Sequence, residues 1–257
     1  MVNLETPRLA QLDTMRDYLV ELHQKRMRSV IHAYSELEGF HAEFPEPVTE
    51  VILIGEEHKL FSNQIANLAR LIRPSVIVHE GFGPFTFDPT SGNLTREPDR
   101  KINEFEGIIL DDIFSPADSN RFTPLFEVSR ELGIPIVGAD LTNIEQLDIA
   151  FKKIEAAGRN LADLVFRNPD PAELGLLKYS LEERENHMVN VANANKGTSL
   201  NPALVVLGFT HALDLFLKKR LANAGFVIMV SDATTAYSAF RMLHPEVTQQ
   251  TVNELLE

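Results

Sequence analysis

Apolar positions along the chain follow two alternating rhythms. Residues 51–54, 75–78, 134–137, 203–207 and 226–230 form short, mostly apolar runs, the composition of strands buried on both faces of a parallel sheet. Between these runs the apolar residues recur at helical spacing. Ile65, Leu68, Leu71 and Ile72 make one face before Pro74, residues 122–132 form a second helix, another begins at Asn143, and residues 212–224 make one closed by Gly225. An amphipathic helix with Leu9, Leu12, Tyr18, Leu19 and Leu22 starts at Thr6-Pro7 and runs to about Tyr34. A long polar helix from Pro171 to about Asn195 carries Leu174, Leu177, Leu181, Met188 and Val191 on one face. Such alternation predicts an α/β fold with a largely parallel central sheet and helices on both faces. Residues 81–100 hold Pro84, Pro89, Pro98 and three glycines and read as a loop. Its rings Phe82, Phe85 and Phe87 suit either a lid over a pocket or a loop pinned to the surface.

Composition narrows the class. The 257 residues suit a single α/β domain covering 1–257, with residues 1–49 as an N-terminal helical segment. The absence of cysteine removes thiolate catalysis, iron–sulfur clusters and zinc–thiolate sites, so any metal must rest on His, Asp or Glu. A formal charge of −13 with no dense Lys/Arg stripe argues against nucleic acid as a partner. No apolar stretch reaches the roughly 18 residues of a membrane span, and no signal peptide is evident, so the expected location is the cytoplasm and no membrane partner is expected.

The most informative feature is a repeated turn. Val51-Ile-Leu-Ile-Gly-Glu-Glu-His58 and Leu204-Val-Val-Leu-Gly-Phe-Thr-His211 each place Gly-x-x-His between an apolar strand and a helix. The composition supplies about 0.4 such pairs by chance, so the shared context carries the weight. The units 51–80 and 203–232 are therefore expected to be related halves of the fold. Ligands in open α/β sheets bind beyond the carboxyl ends of the strands, where both turns lie. A histidine near a helix N-terminus is disfavoured as imidazolium, and a neutral ring serves as general base or metal ligand.

Carboxylates accompany the turns. Glu80 follows the strand at 75–78 and should emerge at the same sheet end as His58, whereas His79 should point to the other face in a structural role. Glu56 and Glu57 lie within the first turn, where favouring a helix N-terminus is the commoner role. Asp140 is a further candidate, with turn capping as its plainer role, and Asp232 a weaker one. On the long helix Arg184 shares a face with Met188 and could reach inward to an anion, or remain solvated.

Gly55-Glu-Glu-His58, the strand ending in Glu80-Gly81, Arg184-x-x-x-Met188 and Gly208-Phe-Thr-His211 together resemble the superfamily of TraB and Tiki proteins, ChaN haem-binding proteins and erythromycin esterases. The resemblance spans residues 51–230. It implies an α/β fold of two related halves with both Gly-x-x-His turns and a glutamate at one site. Tiki-like members are metal-dependent proteases, and erythromycin esterases hydrolyse a lactone with His and Glu. The expectation carried over is a hydrolase of ester or peptide bonds acting on a small molecule or peptide. Its catalytic residues would be His58, Glu80, His211, Arg184 and Glu57, with a divalent metal ion on His58, His211 and Glu80. The alternative is a ChaN-like protein that binds haem, a metal or a small ligand without turnover.

Overall fold

The computed structural model describes residues 17–18, 20–22, 24–25, 27–28, 40–44, 49–57, 62–83, 85–96, 116–141 and 171–231. Its strands are β1 (Phe40–Glu43), β2 (Val51–Glu56), β3 (Ile77–His79), β4 (Phe85–Phe87), β5 (Leu94–Arg96), β6 (Ile136–Gly138), β7 (Ala203–Gly208) and β8 (Ala224–Met229). They form one mixed sheet in the order β1-β8-β2-β7-β3-β6-β4-β5. The consecutive strands β8, β2, β7, β3 and β6 are parallel, and β1 at one edge and the β4–β5 hairpin at the other are antiparallel. The α/β class therefore holds, with antiparallel edges that the apolar pattern did not reveal.

Besides the helical residues between 17 and 28, the helices are α1 (Ser62–Ile72), α2 (Pro116–Leu132), α3 (Pro171–Ala194) and α4 (Phe209–Leu217). Period-2 alternation sorts each strand between two cores. Ile52, Ile54, Ile77, Leu204 and Val206 pack with Ile65, Leu68 and Ile72 of α1 and Phe122, Leu125 and Val128 of α2. Val51, Leu53, Val78, Val205 and Leu207 pack with Met188 and Ala192 of α3 and Ala212, Leu213 and Leu215 of α4. Each fully buried aliphatic chain contributes about 1.5–3 kcal/mol, so the central strands anchor both layers.

The β2–β7 pair is the topological switch point. From β2 the chain crosses β7 through α1 to reach β3, and from β7 it crosses β2 through α4 to reach β8. Two right-handed crossovers running in opposite directions must use opposite faces, and α1 and α4 do. Exchanging β2 with β7, β3 with β8 and one face with the other leaves this order unchanged. The two crevice-forming turns thus sit side by side, with Glu56 in register with Gly208.

Several boundaries differ from the pattern. Gly55 lies inside β2 rather than ending it; a Cβ there would stand 3.2 Å from Ala212 Cβ, so its smallness admits α4 against the sheet. The helix expected at 212–224 starts at Phe209 and ends at Leu217, and Gly225 belongs to β8. Leu71 is exposed rather than part of the α1 core face, and the helix expected at 122–132 begins at Pro116. Residues 85–96 of the expected loop form the β4–β5 hairpin, while Phe82 and Phe87 pack with Phe122 and Phe126. Gly138 is in contact with that region, because a Cβ would lie 1.8 Å from the Gly83 carbonyl oxygen. The described residues between 17 and 28 are helical, as expected; Thr6, Pro7 and the helix starting at Asn143 lie outside the described residues. Among the described residues no helix is long and apolar enough to cross a membrane.

Candidate functional site

At the carboxyl end of the sheet, alternation sends Val78 and Glu80 to the α3–α4 side and His79 to the α1–α2 side. Glu80 opens a single 3₁₀ turn, Glu80–Phe82, which is capped by His79. Its carboxylate is buried and held from two directions. Oε1 accepts from Arg184 Nη2 at 2.8 Å, and Oε2 accepts from the Gly208 backbone N–H at 2.6 Å. Gly208 is the N-cap of α4, so the carboxylate also faces the positive end of that helix.

Arg184 reaches this point from α3. Its Nε donates to Asp140 Oδ1 at 3.1 Å and its Nη2 to Asp140 Oδ2 at 2.6 Å, the paired geometry that a planar guanidinium suits. Asp140 stands just beyond β6 and also accepts from the Leu141 N–H at 2.8 Å. Burial works to lower the Arg184 pKa, but the hydrogen bonds and charge of Asp140, followed by those of Glu80, outweigh it and hold the group above its ordinary value. The side chain remains 17% exposed, and among the described residues Nη1 makes no hydrogen bond.

His211 lies in the first turn of α4, facing the sheet. Its Nδ1 is 3.0 Å from Glu185 Oε1, and its Nε2 is 3.8 Å from Glu80 Oε1. Glu80, Asp140, Glu185 and His211 are each 3–6% exposed. The site is therefore a desolvated cluster of three carboxylates, one guanidinium and one imidazole, in which every charge is placed against a partner.

Of the residues expected from the sequence, the fold brings together Glu80, Arg184, His211 and Asp140. Glu57 does not join them: it is exposed, and its Oε2 accepts from the Ser231 N–H at 3.0 Å and from the Ser231 hydroxyl, tying the ends of β2 and β8. Glu56 is buried on the opposite face, with Oε1 3.7 Å from His79 Nε2. His79 takes the structural role expected of it. Its Nδ1 accepts from the Gly81 N–H at 2.9 Å, and its ring lies edge-on to Phe82 and Phe122. His58 and Asp232 lie outside the described residues.

Sequence reasoning missed Glu185. It sits in the run Glu182-Glu183-Arg184-Glu185, where charge alone does not separate it from its solvated neighbours. A signal was present, however. The apolar stripe of α3 has a gap between Leu181 and Met188, and Glu185 lies four residues after the one and three before the other, on that stripe.

Among the described residues no group of three His, Asp or Glu side chains is placed to hold a metal ion. His211 Nε2 and Glu80 Oε1 supply two donors, but the cation beside Oε1 is already Arg184. The chemistry open to the described residues is that of an imidazole base beside a fixed guanidinium. Comparisons of the chain with family models, curated proteins and solved structures find no match.

Proposed function

We propose that this protein hydrolyses ester or peptide bonds of a small molecule or peptide, with His211 as the general base and Arg184 as the anion-stabilising group. The observation that carries the reading is the juxtaposition, beyond β3 and β7, of His211 Nε2 with the Glu80–Arg184 pair, 3.8 Å from Glu80 Oε1. The substrate carbonyl oxygen lies against Arg184 Nη1, the edge of the guanidinium that Asp140 and Glu80 leave open. Water attacks the carbonyl carbon as Nε2 accepts its proton, and the oxyanion forms against the guanidinium. Collapse of the tetrahedral intermediate breaks the C–O or C–N bond, and the imidazolium returns the proton to the departing oxygen or nitrogen. Glu80 and Asp140 hold Arg184 in place, and the Glu80 charge stabilises the imidazolium while it lasts.

The test is a panel of activated esters and short peptides, assayed with a chelator and again with added divalent cations. The expected result is turnover in which His211→Gln lowers kcat/KM by about 10²–10⁴-fold, the usual worth of a general base. Loss of Arg184 as Arg184→Lys should cost about 10²-fold or more through the missing planar donors. Absence of turnover across the panel, or full activity in His211→Gln, overturns the reading. Haem binding with a Soret band that His211→Gln abolishes, without hydrolysis, would replace it with the binding alternative.

A further inference from the structure

Glu185 belongs to none of the motifs that led to the site, yet it makes the shortest contact to His211. Both side chains are buried, at 3% and 5% exposure, and Glu185 Oε1 lies 3.0 Å from Nδ1. A carboxylate only accepts, so this contact is a hydrogen bond when Nδ1 carries the proton. The other nitrogen is left differently: at 3.8 Å, Glu80 Oε1 is beyond hydrogen-bond distance of Nε2.

We infer that Glu185 is a positioning residue that fixes the tautomer of His211, keeping the proton on Nδ1 and the Nε2 lone pair toward the Glu80–Arg184 pair. In its purpose this rests on His211 acting as the base; in its test it does not. Which ring nitrogen is protonated follows from the hydrogen bond the other makes. His79 provides an internal contrast, because its Nδ1 accepts from the Gly81 N–H and its proton therefore resides on Nε2. Two histidines at the same end of the sheet thus carry opposite tautomers. A carboxylate that tied α3 to α4 through this bond would need the same Nδ1 proton, so the tautomer shows what Glu185 fixes, and turnover in Glu185→Gln separates positioning from a purely structural tie.

The experiment is long-range proton–nitrogen correlation NMR on the full chain labelled with ¹⁵N-histidine, recorded at about pH 9, well above the usual imidazole pKa of about 6.5. The chain has 8 histidines, and the signals are assigned by loss in His211→Gln and His79→Gln. The expected spectrum shows His211 protonated on Nδ1 and His79 on Nε2. In Glu185→Gln the amide either accepts from or donates to Nδ1, so a second His211 population protonated on Nε2 should appear while His79 stays as it was. His211 protonated on Nε2 or on both nitrogens in the unaltered chain overturns the assignment, and so does an unchanged tautomer in Glu185→Gln. Because the first spectrum does not need Glu185→Gln, a failure of that variant to fold does not remove the test. No hydrolysis together with Nδ1–H on His211 supports this assignment and overturns only the hydrolase; hydrolysis with Nε2–H overturns this assignment together with Nε2 as the base, and leaves hydrolysis to another group. In an active protein, kcat of Glu185→Gln should fall by about 10²–10⁴-fold, the range seen when an orienting carboxylate is replaced by its amide or a base is lost.

Discussion

His79 and Glu80 are consecutive, both buried, and enter opposite environments at the end of β3. On the α1–α2 side, His79 meets the rings of Phe82 and Phe122, and its nitrogens lie on Gly81 and toward Glu56. On the α3–α4 side, Glu80 meets a guanidinium, a helix N-terminus and an imidazole. The difference lies in what each side leaves over. His79 Nδ1 is used in holding a turn, whereas Arg184 Nη1 and His211 Nε2 on the ionic side make no hydrogen bond among the described residues. A period-2 strand thus separates an aromatic layer from an ionic one by a single residue.

The largest expected effect is on the aromatic side. Phe122→Ala removes a ring that is 3% exposed and should cost about 4 kcal/mol of stability, measured by urea unfolding, without altering turnover per folded molecule. A comparable loss of turnover per folded molecule would erase the distinction between the faces. Arg184→Ala should cost about 3 kcal/mol, toward the low end for a broken buried pair because the group is partly exposed, and should abolish turnover as well. With its pKa held above the ordinary guanidinium value, the Arg184 contribution is complete below that value and is lost only as pH rises through the raised one, so moderate alkali should leave it intact.

A smaller effect tests the packing that sets α4 on the sheet. Gly55→Ala places a methyl group 3.2 Å from Ala212 Cβ and close to Phe209, and should cost about 1–2 kcal/mol by overpacking. Because α4 carries His211, activity should fall in parallel; unchanged stability would show that the contact relaxes freely. The smallest effect lies at the hairpin. The Ser91 hydroxyl, then the Thr90 N–H, hold the exposed Asp88 carboxyl below its ordinary 3.8, so its contribution is present above that pH and fades as pH falls through the folded value. Amide exchange at Thr90 and Ser91 should quicken there, and nowhere in the ionic cluster from this cause.

The central strands were legible because burial on both faces leaves unbroken apolar runs, as at Val51–Ile54 and Ala203–Leu207. The edges were not. Phe85–Phe87 and Leu94–Arg96 are three residues each and are flanked by proline and glycine, so pairing in space rather than local pattern makes them strands. In the site, the repeated turn and alternation led to His211 and Glu80, and the helical face shared with Met188 led to Arg184. Glu57 was misread because turn position says nothing of side-chain direction, and it faces Ser231. Glu185 stayed hidden because its distinction is burial, which only the docking of α3 against α4 creates.

The most direct measurement compares kcat/KM of His211→Gln and Phe122→Leu on one hydrolysed substrate, at a temperature where both are fully folded. His211→Gln should lose about 10²–10⁴-fold and Phe122→Leu less than about tenfold. Equal losses, or full activity in His211→Gln, would contradict His211 as the general base.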